Sequence, residues 1–380
     1  MKQLYRILLL FSWLPFVAGC WDRIEINDLA IVVGAGVDKK GDEVEVTAQI
    51  IVPKVLSAEG GGAGDETMVR TGRGATITDA VADAQTKFSR RIFWGHTKVI
   101  VFGEELAREG ISEYADFFAR HPKARLRSHM YVSKASTAKE VLMLHPALER
   151  SSSEVMREMS RSPFQMDVTL KDLLEMLESE AHAAVIPAVS ILPVEQGQDP
   201  LQTAAYISHT AILGGDQMIG MVDEQMTKGL LWFTNQIDGA TVTIKVAENE
   251  FISTNILRAE MELVPEIEGE KWKMTVKGRL VDEIIMNRSS WDVMNPVDIR
   301  KIEQRMEEEA EKQMEAVLKL LQKNYKVDAL GFADAFERKY PQQWNQVEGN
   351  WVDIFSTVEV HYDLKGKVKR PGMSTNSQGM

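Results

Sequence analysis

The sequence predicts an α+β protein of two or three domains, with largely antiparallel sheets and helices packed on one face. Three observations carry this reading. Runs with the two-residue alternation of half-buried strands, such as 43–52, are divided by short polar turns. Segments of helical period are interspersed with them, the longest an apolar stripe at Ile299, Ile302, Met306, Ala310, Met314, Val317 and Leu321. Strands and helices do not alternate one for one, as a doubly wound parallel sheet would require.

In chain order, residues 29–38 read as a buried strand, 39–42 as a turn and 43–52 as its hairpin partner. A Gly-rich loop follows over 57–66. Thr76 with Asp79 makes a near capping box for a helix whose apolar face is Ile77, Ala80, Val81, Ala84 and Phe88. Then come a strand over 98–102, helices near 104–109 and 112–120, and a strand over 128–133. Helical segments near 138–143, 152–160 and 169–180 lead to the proline-punctuated stretch 186–200, the expected domain boundary. Beyond it, 203–213, 240–246, 250–264 and 271–286 read as strands. Asn295 and Pro296 start the long striped helix, a second helix over 329–339 stops at Pro341, and 357–364 reads as a last strand. The division expected is 1–19, 20–195 (two sub-domains at most), 196–372 and a disordered tail over 373–380.

Residues 1–19 carry Lys2 and Arg6 ahead of a short apolar run, too short for the ~20 residues of a membrane-spanning helix but suited to a secretory signal. The run ends Val17-Ala18-Gly19 directly before Cys20, the one cysteine of 380 residues. Apolar, small, small, Cys resembles the lipobox of bacterial lipoproteins, with cleavage between Gly19 and Cys20 and a lipid on the Cys20 thiol. No thiol then remains for a disulfide or a cysteine zinc site. Loss of Lys2 and Arg6 takes the formal charge from -12 to -14. So acidic a body argues against nucleic acid and gains nothing from an anionic membrane surface. Attachment would come from acyl chains, at ~0.8 kcal/mol per buried methylene.

No catalytic, cofactor-binding or metal constellation is legible. Gly34-Ala35-Gly36 lacks the third glycine and the following helix of a dinucleotide fold, and reads as small residues inside a strand. The seven histidines are scattered without ligand spacing. His96, in FWGHTKVIV, reads as a backbone-bonded structural histidine. Glu307, Glu308, Glu309 and Glu311 read as a solvated helix face, and Trp232, Trp344 and Trp351 as pocket lining or equally as core. Lys365, Lys367, Lys369 and Arg370 form a basic cluster, read as a solvated strand end.

Several segments together resemble one family. GCWDRIEINDLAIVVGAGVD, through Cys20, Trp21, Asp22, Glu25, Ile26, Gly36 and Asp38, is similar to the mature start of the Ger(x)C family, the GerAC-like C-subunit lipoproteins of spore germinant receptors. GHTKVIVFGEELAREGI (95–111), ARLRSHMYVSKASTAKEVL (124–142) and the closing LGFADAFERKYPQQWNQVEGNWVDIF follow in the family's order. The resemblance implies an α+β fold of about three sub-domains with no catalytic residues or cofactor. It implies lipid anchoring on the outer face of the inner spore membrane and work with integral A and B subunits to trigger germination in response to small nutrients. Whether this subunit touches germinant stays open, as do the roles of loop 58–64 and of the basic cluster. The competing reading, a solute-binding lipoprotein of a membrane transporter, would call for repeated βα units in two lobes.

Overall fold

The structure, a computed structural model, describes residues 28–51, 67–121 and 125–370. The fold is mixed α and β, as the sequence predicts, with its strands in two sheets. The first holds β1 (Leu29–Lys40), β2 (Glu43–Ile51), β3 (Thr67–Gly74), β4 (Arg91–Phe93), β5 (Val99–Phe102), β6 (His129–Ser133), β7 (Ala183–Ile191), β8 (Ala205–Gly214) and β9 (Gln217–Val222). Their order is β3-β2-β1-β5-β6-β7-β8-β9, with β4 beside β1. The expected β1–β2 hairpin forms, turning at Gly41, whose φ of 63° suits glycine.

Antiparallel pairing holds at both margins of this sheet, while the centre, β1-β5-β6-β7, is parallel. Parallel strands need both faces covered. Helices α1 (Ile77–Thr86), α2 (Glu104–Glu109), α3 (Ser112–Arg120), α4 (Ala138–Leu142), α5 (Ser152–Met159) and α6 (Leu170–Glu178) provide this. Ile100, Phe102, Met130 and Val132 share a core with Leu106, Phe118 and Leu173 of α2, α3 and α6. Val99, Val101 and Tyr131 point the other way, to Val141, Leu142 and Met156 of α4 and α5. Thr76 caps α1 as the sequence indicates, and Thr137 and Thr169 cap α4 and α6 in full capping boxes.

The first sheet runs through the boundary expected at 195–196. β7 and β8, one on either side, pair from Ala183 opposite Gly214 to Ile191 opposite Ala205. The proline-rich stretch is therefore partly strand and partly the loop of an antiparallel pair. Pro187 is accommodated because β6 meets β7 only at Ala188 and Val189.

The second unit begins with α7 (Glu224–Phe233) and contains β10 (Thr241–Ala247), β11 (Glu250–Glu268), β12 (Lys271–Arg288), α8 (Pro296–Leu320), α9 (Phe332–Lys339), α10 (Pro341–Trp344), α11 (Trp351–Phe355) and β13 (Glu359–Arg370). Its sheet order is β10-β11-β12-β13, with β12 and β13 parallel. Asn295 caps α8 with Pro296 in its first turn, and Ile302, Met306, Ala310, Met314 and Val317 are buried, as their spacing requires. Gly229 of α7 lets the two helices touch: a Cβ there would lie 2.5 Å from the Gln313 carbonyl oxygen. β13 extends beyond the expected 364 to Arg370, so the basic cluster is strand. The signal segment, loop 58–64 and tail 373–380 lie outside the described residues.

Candidate functional site

Two buried carboxylates organise the segments that carry the family resemblance. Asp38, 3% exposed at the end of β1, accepts from the N–H of Ala138 (2.8 Å) and of Lys139 (3.0 Å), the first residues of α4. Burial pushes its pKa up, against the pull of those two N–H groups. Around it the glycines make room. A Cβ on Gly103 would lie 2.3 Å from Asp38 Oδ1, one on Gly36 3.0 Å from Leu142 Cδ1, and one on Gly34 2.0 Å from Ser153 Oγ. The glycines at 34 and 36 thus serve close packing of α4 and α5 on β1, as the small-residue reading expects. Beside Asp38 opens a depression of about 370 Å³ with Lys39, Glu104, Arg108 and Ser136 on its wall. Three of its charged residues are paired within the chain, Lys39 with Glu109 at 2.6 Å and Arg108 with Glu104 at 2.8 Å, while Glu105 also lines it.

Asp328 is the second carboxylate. It accepts from the N–H of Leu330 (3.2 Å), Phe332 (3.2 Å) and Ala333 (2.6 Å), and from Trp351 Nε1 (3.1 Å). It so supplies the acceptor that the first turn of α9 lacks, because Gly331 before it has no side chain to offer. Burial raises its pKa, with the four donors pulling the other way. Trp351 packs on Trp344 (centroids 4.9 Å apart) and on Trp272 (5.8 Å). Trp344 Nε1 donates to Glu180 Oε2 at 2.8 Å, and the Glu180 N–H donates to Asp334 Oδ1 at 3.2 Å. These contacts join the segment between α6 and β7 to the second unit. A groove of about 370 Å³ follows the joint, with Asp172, Glu175, Met176, Ala183 and Leu330 among its lining.

The other singled-out residues fall into structural places. Trp232 is buried and donates to Gln313 Oε1 at 2.9 Å. His96 is exposed, and among the described residues its ring meets the Arg125 side chain (Nη2 3.5 Å from Nδ1) and not the backbone group expected of it; partial loss of solvent and the charges of Arg125 and Lys98 hold its pKa below the ordinary value. Arg305 and Lys312 pair with Glu308 and Glu309, as a solvated face would. Glu307 does otherwise: it accepts from the Gly366 N–H at 2.7 Å, and Glu303 accepts from that of Val368 at 3.1 Å. Gly19 and Cys20 lie outside the described residues. Among the described residues no three His, Cys, Asp or Glu side chains converge to hold a metal ion, and no helix is long and apolar enough to cross a membrane.

Sequence reasoning did not find Asp328 or Asp282. The first had a signal, an acid just ahead of a helix start in DALGFADAF. The second had none. Asp282 stands on β12 between Leu280 and Ile284, 2% exposed, on the face covered by α8. One of its oxygens accepts from Thr254 Oγ1 at 2.8 Å; the other has no hydrogen-bond partner, and burial pushes the pKa to about 6.

Comparison with known proteins bears on both units. A family model described as spore germination protein N-terminal domain matches residues 22–191. One described as spore germination B3/GerAC like, C-terminal, matches 208–372. Spore germination protein KC of Bacillus subtilis (strain 168) is 27% identical over 398 residues, covering 99% of this chain and 97% of that protein. Spore germination protein B3 of the same organism is 23% identical, covering 97% and 98%. The crystal structure of the GerBC protein shares the fold, with a TM-score of 0.58 and 19% identity over 88% of this chain and 97% of that one.

Proposed function

The chain belongs to the spore germination family of GerAC-like proteins, and on that premise we propose that it is a non-enzymatic, lipid-anchored subunit of a spore germinant receptor. The observation that carries this reading is the match of both family models, which together span 22–191 and 208–372 in order. In this reading residues 1–19 are a signal removed ahead of Cys20, whose thiol bears the lipid. The body then sits on the outer face of the inner spore membrane and assembles with integral A and B subunits. Two observations agree with a non-enzymatic role. The buried carboxylates Asp38 and Asp328 accept from backbone and indole N–H groups, and Lys39, Glu104 and Arg108 beside the first depression are engaged in ion pairs.

The anchor acts through effective concentration. Confinement to the membrane plane makes a weak contact with an integral partner behave as an intramolecular one, worth 10²–10⁴-fold or so in apparent affinity. Cys20→Ala is therefore expected to abolish acyl labelling, release the chain from the spore membrane and deplete the assembled receptor, with loss of germination. Full germination and normal receptor levels in that strain would remove the anchor from the mechanism. A solute-binding lipoprotein would differ in a measurable way, by saturable calorimetric binding of a nutrient to the purified chain alone.

A further inference from the structure

β13 forms one margin of the second sheet and, among the described residues, pairs with β12 alone. The far half of its free edge is covered from within, by Glu307 on the Gly366 N–H and Glu303 on the Val368 N–H. Successive residues of a strand turn their N–H and C=O alternately to its two sides. The β12–β13 register is unbroken from Glu359 to Val368. Val360, Tyr362 and Leu364 share the parity of Gly366 and Val368, so their backbone groups also point outward. Beside them lies a groove of about 620 Å³ between β13 and the second half of α8, with Glu311, Glu315, Lys319, Val360 and Tyr362 on its walls. The Tyr362 hydroxyl is buried there with no hydrogen-bond partner.

An uncovered edge of this kind is a template for strand addition. We propose that it pairs antiparallel with the same strand of a second copy of this chain, about a two-fold axis at Tyr362. That register sets Val360 opposite Leu364 and Tyr362 opposite its own counterpart, so three outward backbone positions on each copy meet three on the other. On the other face it sets Glu359 opposite Lys365 and His361 opposite Asp363, each pair occurring twice. Every opposed pair is complementary. The neighbouring registers, centred on His361 or on Asp363, set Glu359 against Asp363 or Asp363 against itself. Within its own sheet Lys365 faces Arg279, a like charge. The second copy brings it the carboxylate of Glu359, which its own sheet holds 3.3 Å from Lys271 Nζ at an exposed site. The same symmetry places the two buried Tyr362 hydroxyls on one face, directly across from each other.

The test uses the full chain in detergent, with its protein mass followed by light scattering on a sizing column across micromolar loading concentrations. A concentration-dependent dimer is expected. Lys365→Glu places like charges opposite each other twice and is expected to weaken the dimer by about tenfold or more, since opposed like charges are destabilising. Glu359→Lys is expected to do the same. The two changes combined in one chain restore the dimer, and an equimolar mixture of the two single variants forms a heterodimer that neither forms alone. Both sites are exposed, and the combined variant shows whether the fold has survived. A monomeric mass at every loading overturns the proposal. So does a dimer whose affinity ignores the single reversals, or one that the combined exchange does not restore.

Discussion

Asp282 makes stability depend on pH in a direction opposite to that of a salt-bridged carboxylate. Its ordinary value of 3.8 rises to about 6 in the fold, because burial disfavours the charge and Thr254 alone answers it. The folded state therefore holds this proton where the unfolded chain has released it. Stability must fall as pH rises through that window, since the native state is the one binding more protons. The shift from 3.8 to about 6 corresponds to about 3 kcal/mol of penalty, absent below the first value and complete above the second. About 2 kcal/mol of it falls between pH ~4.5 and pH ~8. Asp282→Asn keeps an acceptor for Thr254 but has no charge to bury. Its amide costs something at every pH, and that constant drops out when the two conditions are compared. Urea unfolding of wild type and variant at both pH values should show the variant gaining about 2 kcal/mol on wild type from the lower to the higher. A difference between the proteins that is constant across that range would refute the reasoning.

Two further substitutions probe the packing. Asp328→Ala strands three backbone N–H groups and the Trp351 indole, at about 1–3 kcal/mol for each buried donor. A loss of about 4 kcal/mol or more is expected in urea titrations followed by tryptophan fluorescence; a loss below about 1 kcal/mol would mean that the donors find other partners. Gly34→Ala drives a methyl to 2.0 Å from Ser153 Oγ, so a cost of about 1–3 kcal/mol is expected from the shifted urea midpoint. Ser153→Gly in the same chain should return part of that loss, and no return would place the strain elsewhere.

Local features of the fold were legible and long-range pairings were not. The α8 stripe, the β1–β2 hairpin and the Thr76 cap are written in spacing and residue type, and all appear. The parallel centre β1-β5-β6-β7 joins strands distant in sequence, which periodicity does not encode. For the same reason the return of β8 to pair with β7 across 186–200 is not legible in that stretch, which reads only as a domain boundary. Strands β3, β4 and β9 and helix α7 went unread. β4 is three residues long, β3 carries two arginines and two glycines, and α7 has apolar residues packed without a clear stripe. Asp38 was found only through the family resemblance, since an acid at a strand end looks solvated until α4 closes over it. Glu307 belongs to a run that reads as solvent-facing, and only the arrival of β13 from residues 359–370 gives it, with Glu303, a second role.

The position of β1 has a mechanical consequence. It begins at Leu29 and is flanked by β2 on one side and by β4 and β5 on the other. Tension on the chain ahead of Leu29 would pull this strand along its own axis. The hydrogen bonds to its neighbours would then be sheared together instead of being unzipped in turn. A body held through such a strand takes a pull on an interior strand of its larger sheet and not on an edge.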